Sequence, residues 1–458
     1  MKLLPTLLLL LASLSAVGQE LAHRKSIDTL SAEELENFIH ALKILRARPA
    51  NRIDSYRTFE RLHNGGTLPN GKQGGCIHGD GDFLPWHRML LAQFEDALQK
   101  SDPAKTANVA LPYWDFTKPA TGKRFPIAFE DDETPLWHVN RSNLTENSTP
   151  AEIAFAAQVE ETRKILTDAD RLESTLFGLT RYRQNNIQAG FSNALENGIH
   201  NWIHAGYCYD SDMDVDTNAA KDAIFWSFHC YVDLAWYRWQ LRNGAFANAA
   251  PELLPTDLTQ EYDHFPVPMT VGEVLDPKSA ALGYDFVMDS DAPPPPPADA
   301  LAGENLAALE GATMKFNWSG ALTEKKQEEA VTAGKKPAAT LSVKGAKAPA
   351  DGSWMVEFYL HPKGVATDFG NSEFKKKYLA ADYVQWKGSH RPHHEDQAGK
   401  DLLLPLAGTP LAASLEPGGD YILSVNYVSL APGKQAANPA AEIEAAKFTC
   451  ESISVTLR

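Results

Sequence analysis

Apolar residues recur at helical spacing through the first half of the chain and alternate with polar ones in its last third. Ser31-Ala-Glu-Glu34 reads as a capping box opening a helix to about Arg48, with Leu35, Phe38, Leu42 and Leu45 as its apolar stripe and Pro49 as its stop. A second helix is expected over Asn51–Leu62, with Tyr56 and Phe59 in the core and His63 at its end. Leu90, Leu91, Phe94 and Leu98 give a third helix, Trp86–Lys100, its buried face. Further helical patterns cover Ala151–Leu166, Phe191–Ala205 and a strongly aromatic stretch, Asp222–Arg242. Beyond the run Asp291-Ala-Pro-Pro-Pro-Pro-Pro-Ala298 the period becomes two. Trp354, Val356, Phe358 and Leu360 alternate with Met355, Glu357, Tyr359 and His361, and Tyr421–Val428 and Ile453–Leu457 read alike. The pattern predicts a mainly α helical-bundle domain over 19–290, a Pro-rich linker over 291–302, and an all-β, sandwich-like C-terminal domain over 303–458.

Composition changes this picture at the N-terminus. Lys2, the apolar run Leu3–Leu14 and the small residues Ala16-Val17-Gly18 predict a signal peptide over 1–18, cleaved near Gly18, and a secreted or periplasmic protein. The net charge of −16 argues against general nucleic-acid binding. No later segment has the length and apolarity of a membrane span. Four cysteines are too few for a disulfide framework, although export would permit Cys208 and Cys230 to pair, leaving Cys76 and Cys450.

Candidate chemistry lies in the histidines. Cys76-Ile-His-Gly-Asp-Gly-Asp-Phe-Leu-Pro-Trp-His87 places His78 in a glycine-rich loop and His87 in the first turn of a rigid helix. His200-Asn-Trp-Ile-His204 spaces two rings one helical turn apart, as a metal ion requires. His229 lies among aromatic residues, where an unpaired charge is costly and a neutral imidazole is expected. Asp233, one turn later, is a candidate to orient a ligand imidazole, or to pair with Arg238 on the helix surface. The six histidines fall into two groups, His63, His78, His87 and His200, His204, His229. Ligands that are all imidazole suit copper well and zinc tolerably, and two triads point to two metal ions facing each other across a helix bundle.

On these residues the chain resembles the type-3 copper proteins: tyrosinases, catechol oxidases and molluscan-type hemocyanins. The matching stretches are Cys76-Ile-His-Gly79, Phe83-Leu-Pro-Trp-His-Arg88, Phe94-Glu-Asp-Ala-Leu98, Leu111-Pro-Tyr-Trp-Asp115, Leu195-Glu-Asn-Gly-Ile-His-Asn-Trp-Ile-His204 and Phe225 to Asp233, spread over about residues 50–245. The resemblance implies a dinuclear centre of two copper ions. His63, His78 and His87 would bind copper A, His200, His204 and His229 copper B, with dioxygen as co-substrate. It also implies a thioether from Cys76 to His78, a water-holding carboxylate at Glu196 and a water-orienting amide at Asn201; a solvated Glu and a capping Asn are the plainer alternatives. The sequence departs from the family at Phe228, where a histidine often precedes the last ligand, and at Asp233-Leu234, where Asp-Arg is common.

The activity implied is oxidation of o-diphenols to o-quinones, with some monophenol hydroxylation favoured by Glu196 and Asn201. The partners would be small phenolic substrates. The other reading is a hemocyanin-like oxygen carrier, which usually comes as repeated units; this chain has one copper region and no internal repeat. A dizinc hydrolase fits poorly, because such sites recruit carboxylates. The C-terminal domain resembles a shield over the site, with Phe358, Tyr359 and Leu360 as candidate plugs. His390-Arg-Pro-His-His394 reads as a solvated loop, His23, His40, His138, His264 and His361 receive no role, and no oligomeric state is signalled.

Overall fold

The computed structural model of the chain describes residues 21–79, 81–119, 123–141, 148–179, 181–182, 190–288, 304–309, 313–317, 339–346, 353–385, 400–405, 420–430 and 452–457. The expected signal peptide, the Pro-rich linker, His390–His394 and Cys450 lie outside these residues.

The helical part contains α1 (Ala32–Ala47), α2 (Tyr56–Asn64), α3 (Phe83–Gln99), α4 (Pro103–Thr106), α5 (Pro150–Leu166), α6 (Ala169–Leu172), α7 (Phe191–Leu195), α8 (Asp216–Ala219) and α9 (Ile224–Asn243). The Ser31 hydroxyl accepts the Glu34 N–H at 3.2 Å and the Glu34 carboxylate accepts the Ser31 N–H at 2.8 Å, so the capping box that starts α1 is complete. α2 begins later than its pattern predicted. Ser55 caps it through the Thr58 N–H, and Gly65, at φ 85°, ends it in the left-handed conformation that glycine adopts without strain. α3 begins earlier, at Phe83, with Pro85 inside its first turn, where a missing N–H breaks no helical bond.

The largest local departure follows α7. Glu196–His200 and Ile203–Tyr207 are wound as π-helix, and Gly198 breaks helical geometry at φ −99°, ψ −109°. Such wider turns are rare and recur at functional sites. The ends of the helical part are tied together by strands β1 (Ala22–Arg24) and β2 (Tyr284–Phe286), which pair in parallel.

The described C-terminal residues form eight strands: β3 (Glu304–Leu309), β4 (Thr313–Asn317), β5 (Ala339–Ala346), β6 (Trp354–Pro362), β7 (Leu379–Gln385), β8 (Lys400–Pro405), β9 (Asp420–Ser429) and β10 (Ser452–Leu457). They make two antiparallel sheets, ordered β3-β10-β5-β8 and β4-β9-β6-β7. A helix, α10 (Ser372–Tyr378), interrupts them, so this part is not purely β. Trp354 to His361 of β6 are all buried, because both faces of the strand are covered. Met355 and Tyr359, with Val384 of β7, join the hydrophobic core of the helical part.

Candidate metal centre

Three helices and two intervening segments bring the six predicted histidines into one buried space. His63 comes from the last turn of α2, His87 from the start of the second turn of α3, His229 from α9, His200 and His204 from the π-wound stretch, and His78 from the loop before α3. His200, His204 and His229 offer ligand atoms within 4.8 Å of one another, as do His63, His87 and His229. His87 and His229 stack, with ring centroids 4.5 Å apart and planes at 14°. His78 lies 5.3 Å from His87 and 5.6 Å from His200 by ring centroid. It groups with His63, Cys76 and Asp216, and its Nδ1 is 3.3 Å from Glu196 Oε1. Thus His200, His204 and His229 form one convergent group, whereas the convergent group built on His63 and His87 takes His229, not His78, as its third member.

Most of these rings are oriented through Nδ1. His63 Nδ1 meets Asn64 Oδ1 at 2.9 Å, His87 Nδ1 the Phe83 carbonyl at 2.7 Å, His200 Nδ1 Asn201 Oδ1 at 3.0 Å and His204 Nδ1 the Met213 carbonyl at 2.7 Å. An acceptor oxygen at Nδ1 requires the proton there, which leaves Nε2 with the lone pair. The Nε2 atoms of His63 and His87 are buried without a hydrogen-bond partner among the described residues, an arrangement that costs free energy until something accepts the lone pair. Burial lowers His63 to about 4 and pushes His87, His200, His204 and His229 well below the usual imidazole value. The rings are therefore neutral at pH 7, the state a metal ion needs. The donor set fits two copper ions.

Aromatic side chains wall the space. Phe83 stands 4.7 Å by centroid from both His87 and His200, and Phe225 lies 4.5 Å from His63 and 4.3 Å from His229. Phe228 stacks on His200 at 5.6 Å and 15°. Phe83 and Phe225 were visible in the sequence as motif residues, but nothing there showed that they sit between the rings.

The candidate residues around the ligands fall differently. Glu196 is buried, takes the Gly79 N–H on Oε1 at 2.6 Å, and keeps Oε2 buried without a partner among the described residues. Asn201 uses its amide elsewhere than expected: Oδ1 faces His200, and Nδ2 donates to the Val384 carbonyl of β7 at 3.1 Å and, at 3.4 Å, to Asn197 Oδ1. The Cys76 thiol donates to Asp216 Oδ1 at 3.2 Å, and burial beside that carboxylate raises it far above its ordinary range, which keeps it protonated. Asp216 had no sequence signal. Cys208 and Cys230 are unpaired thiols, each buried; Cys230 points at the Leu111 carbonyl, 3.2 Å away, so the bridge allowed for above is absent.

Asp233 does not orient a ligand imidazole and does not pair with Arg238. Its carboxylate accepts Arg88 Nε at 2.6 Å, Arg24 Nη1 at 3.0 Å and the Tyr284 hydroxyl at 2.5 Å. Arg24 also binds Glu95 at 2.9 Å. All these groups are buried, and two guanidiniums balance two carboxylates. Arg88 follows His87, and Asp233 lies one turn beyond His229, so the ion pair locks α3 to α9 directly behind two candidate ligands. With Leu234 in the usual arginine position, the cations come from Arg24 and Arg88, which sequence distance concealed.

Two facing groups of buried, neutral imidazoles define a protein built for a pair of metal ions. Residues 53–242 match the family model described as the common central domain of tyrosinase. The chain is 30% identical over 250 residues to the tyrosinase of Streptomyces glaucescens, covering 48% of this chain and 83% of that protein. It is 27% identical over 240 residues to the G-type hemocyanin of Enteroctopus dofleini, covering 49% of this chain but 8% of that protein. Among solved structures, a latent aurone synthase (polyphenol oxidase) superposes with a TM-score of 0.59 at 14% identity over 90% of each chain. A functional unit of octopus hemocyanin does so with 0.54 at 18% identity, over 95% of this chain and 99% of that one. The chain belongs to the tyrosinase family of type-3 copper proteins. Among the described residues no helix is long and apolar enough to cross a membrane.

Proposed function

We propose that the protein is a copper-dependent phenol oxidase that converts o-diphenols to o-quinones with dioxygen and hydroxylates some monophenols. The observation that carries this reading is the pair of imidazole groups sharing His229, buried and neutral, with phenylalanines between them. His63, His78 and His87 would hold one copper and His200, His204 and His229 the other. Bound copper would supply the electron transfer between the phenol and oxygen. The chain's own share is to orient, exclude water and move a proton. Phe83, Phe225 and Phe228 keep the space dry and offer ring faces to an aromatic substrate. Glu196 Oε2, buried and unpartnered, is placed to accept a phenolic proton. Cys76 lies within 4.8 Å of a His78 nitrogen in the group they share with Asp216, which supports the thioether.

The C-terminal strands act as a detachable sandwich-like shield, tethered by the Pro-rich segment and exported with the helical part after signal cleavage near Gly18. Their approach supports this, although the strand that reaches the site is β7. Tyr359, a plug candidate, packs instead against Phe369 and Phe374 at ring distances of 5.1 and 5.4 Å. The oxygen-carrier reading draws on the hemocyanin relatives, of which this chain covers 8% of a multi-unit protein but 99% of a single functional unit. Copper loading followed by oxygen, then catechol and tyrosine, tests the proposal. An oxygen-dependent near-ultraviolet band with quinone formation is expected. A band without turnover, even after proteolysis in 291–302, would favour the carrier.

A further inference from the structure

Two of the four Nδ1 acceptors around the site are backbone carbonyls, which have a single hydrogen-bonding sense: Phe83 for His87 and Met213 for His204. The other two are asparagine amides, Asn64 for His63 and Asn201 for His200. An amide can rotate by half a turn and present N–H₂ in place of oxygen, so it specifies a histidine tautomer only if something fixes the amide. For Asn201 that something belongs to the other half of the molecule. Asn201 is 4% exposed, and its Nδ2 lies 3.1 Å from the carbonyl of Val384 in β7.

We infer that strand β7 sets the tautomer and ring orientation of His200, acting through Asn201 as a positioning residue. A carbonyl only accepts, so Val384 compels Asn201 to face it with nitrogen. The oxygen must then face His200 Nδ1, which must carry the proton, and Nε2 becomes the ring's lone-pair nitrogen. The strand is held over this segment by a second pair of contacts. Arg171 of α6, buried, donates to the Leu379 carbonyl at 3.1 Å and pairs with Asp382 on the same strand. Asp382 and Tyr383 line one cleft with Asn197 and Gly198, beside the kink in the π-wound stretch. The C-terminal region therefore tunes a copper B ligand as well as covering the site. This rests on the ligand assignment above, yet its first readouts need neither copper nor turnover.

Full-length protein with ¹⁵N-labelled histidine, before copper is added, gives the tautomer directly, the His200 signal being identified by its loss in His200→Gln. The parent is expected to show one tautomer, with hydrogen on Nδ1. Asn201→Leu keeps the volume and removes the relay; it should give a mixture of tautomers and weaken the second copper about ten- to a hundredfold. Asn201→Asp keeps an acceptor for His200 but sets a carboxylate against the Val384 carbonyl. It should hold the tautomer and speed amide exchange across Leu379–Gln385 at least about tenfold. Far-ultraviolet circular dichroism matching the parent shows that each variant folds. A single unchanged tautomer in Asn201→Leu, or unchanged exchange in Asn201→Asp, overturns the inference, whatever the protein does with phenols.

Discussion

Both halves of the molecule bury histidine. His361 of β6 is fully buried and has partners at both ring nitrogens: Pro362 O near Nδ1 at 3.2 Å, and Ser424 Oγ and Thr367 Oγ1 near Nε2 at 2.9 and 3.3 Å. His63 and His87 are as buried, but among the described residues each has a partner at Nδ1 alone and turns a bare Nε2 inward. The same contrast runs through the acids. Glu357, buried on the same strand as His361, takes the Tyr359 hydroxyl at 2.8 Å and Asn426 at 2.7 Å, with Lys375 at 3.6 Å, whereas Glu196 leaves one oxygen without a partner among the described residues. Burial alone therefore does not mark a functional polar group. A buried group with part of its bonding capacity aimed into a shared space does, because folding has left a cost that only a ligand repays.

Replacing one histidine from each half breaks or sustains this contrast most sharply. His63→Ala should remove a copper ligand and reduce bound copper from two ions to one or fewer per chain, with loss of catechol oxidation. His361→Ala should leave copper content unchanged and lower only the denaturation midpoint. Copper analysis of the dialysed proteins decides it, and equal copper loss in both would end the distinction.

The ion-pair group behind the site comes next in size. Asp233→Ala leaves Arg24 and Arg88 buried without that carboxylate, and removing one partner of a buried pair typically costs about 3–5 kcal/mol. Urea denaturation should show that loss even without copper, because the clamp ties α3 to α9 by itself. A loss below about 1 kcal/mol would show that the ligand helices are held by packing alone.

Acid should weaken the fold through the site histidines by a similar amount. His63 titrates at about 4 in the fold, against about 6.5 in an unfolded chain, because burial disfavours its charged form. As pH falls, the unfolded chain takes up the proton first. The stabilisation is complete above pH 6.5 and is lost as pH falls through 4, about 3 kcal/mol from this ring alone. His87, His200, His204 and His229 shift the same way and add to it. Metal-free protein unfolded at pH 7 and pH 4.5 measures the effect, which should shrink in His63→Gln.

What could be read from the sequence follows from the range of the interactions involved. The helices around the site, the capping box at Ser31 and the six histidines are written in local periodicity and spacing, and all can be found along the chain. The change to strands after the Pro-rich run was equally plain. Asp233's partners could not be found that way, since Arg24 lies 209 residues from it and Tyr284 51. Nor could the link from Val384 to Asn201, which spans 183 residues through a backbone carbonyl that any side chain at 384 would supply. The π-wound stretch was hidden for another reason. The i, i+4 pair His200 and His204 reads as regular helix, and the break at Gly198 depends on packing that no local pattern encodes.

The smallest expected effect checks that stability and site chemistry are separable within the helical half. Ser31→Ala removes the hydroxyl that accepts the Glu34 N–H at the exposed start of α1, a helix that contributes none of the six candidate ligands. The loss of an N-cap of this kind costs about 1 kcal/mol. α1 reaches the core through Phe38, Ala41, Leu42 and Leu45, so its last turns should hold while its first turn frays. The denaturation midpoint should fall slightly, with copper content and catechol oxidation unchanged. If copper binding fell as well, the site would depend on the whole helical scaffold, and the contrast with the self-satisfied polar groups of the sheets would lose its local meaning.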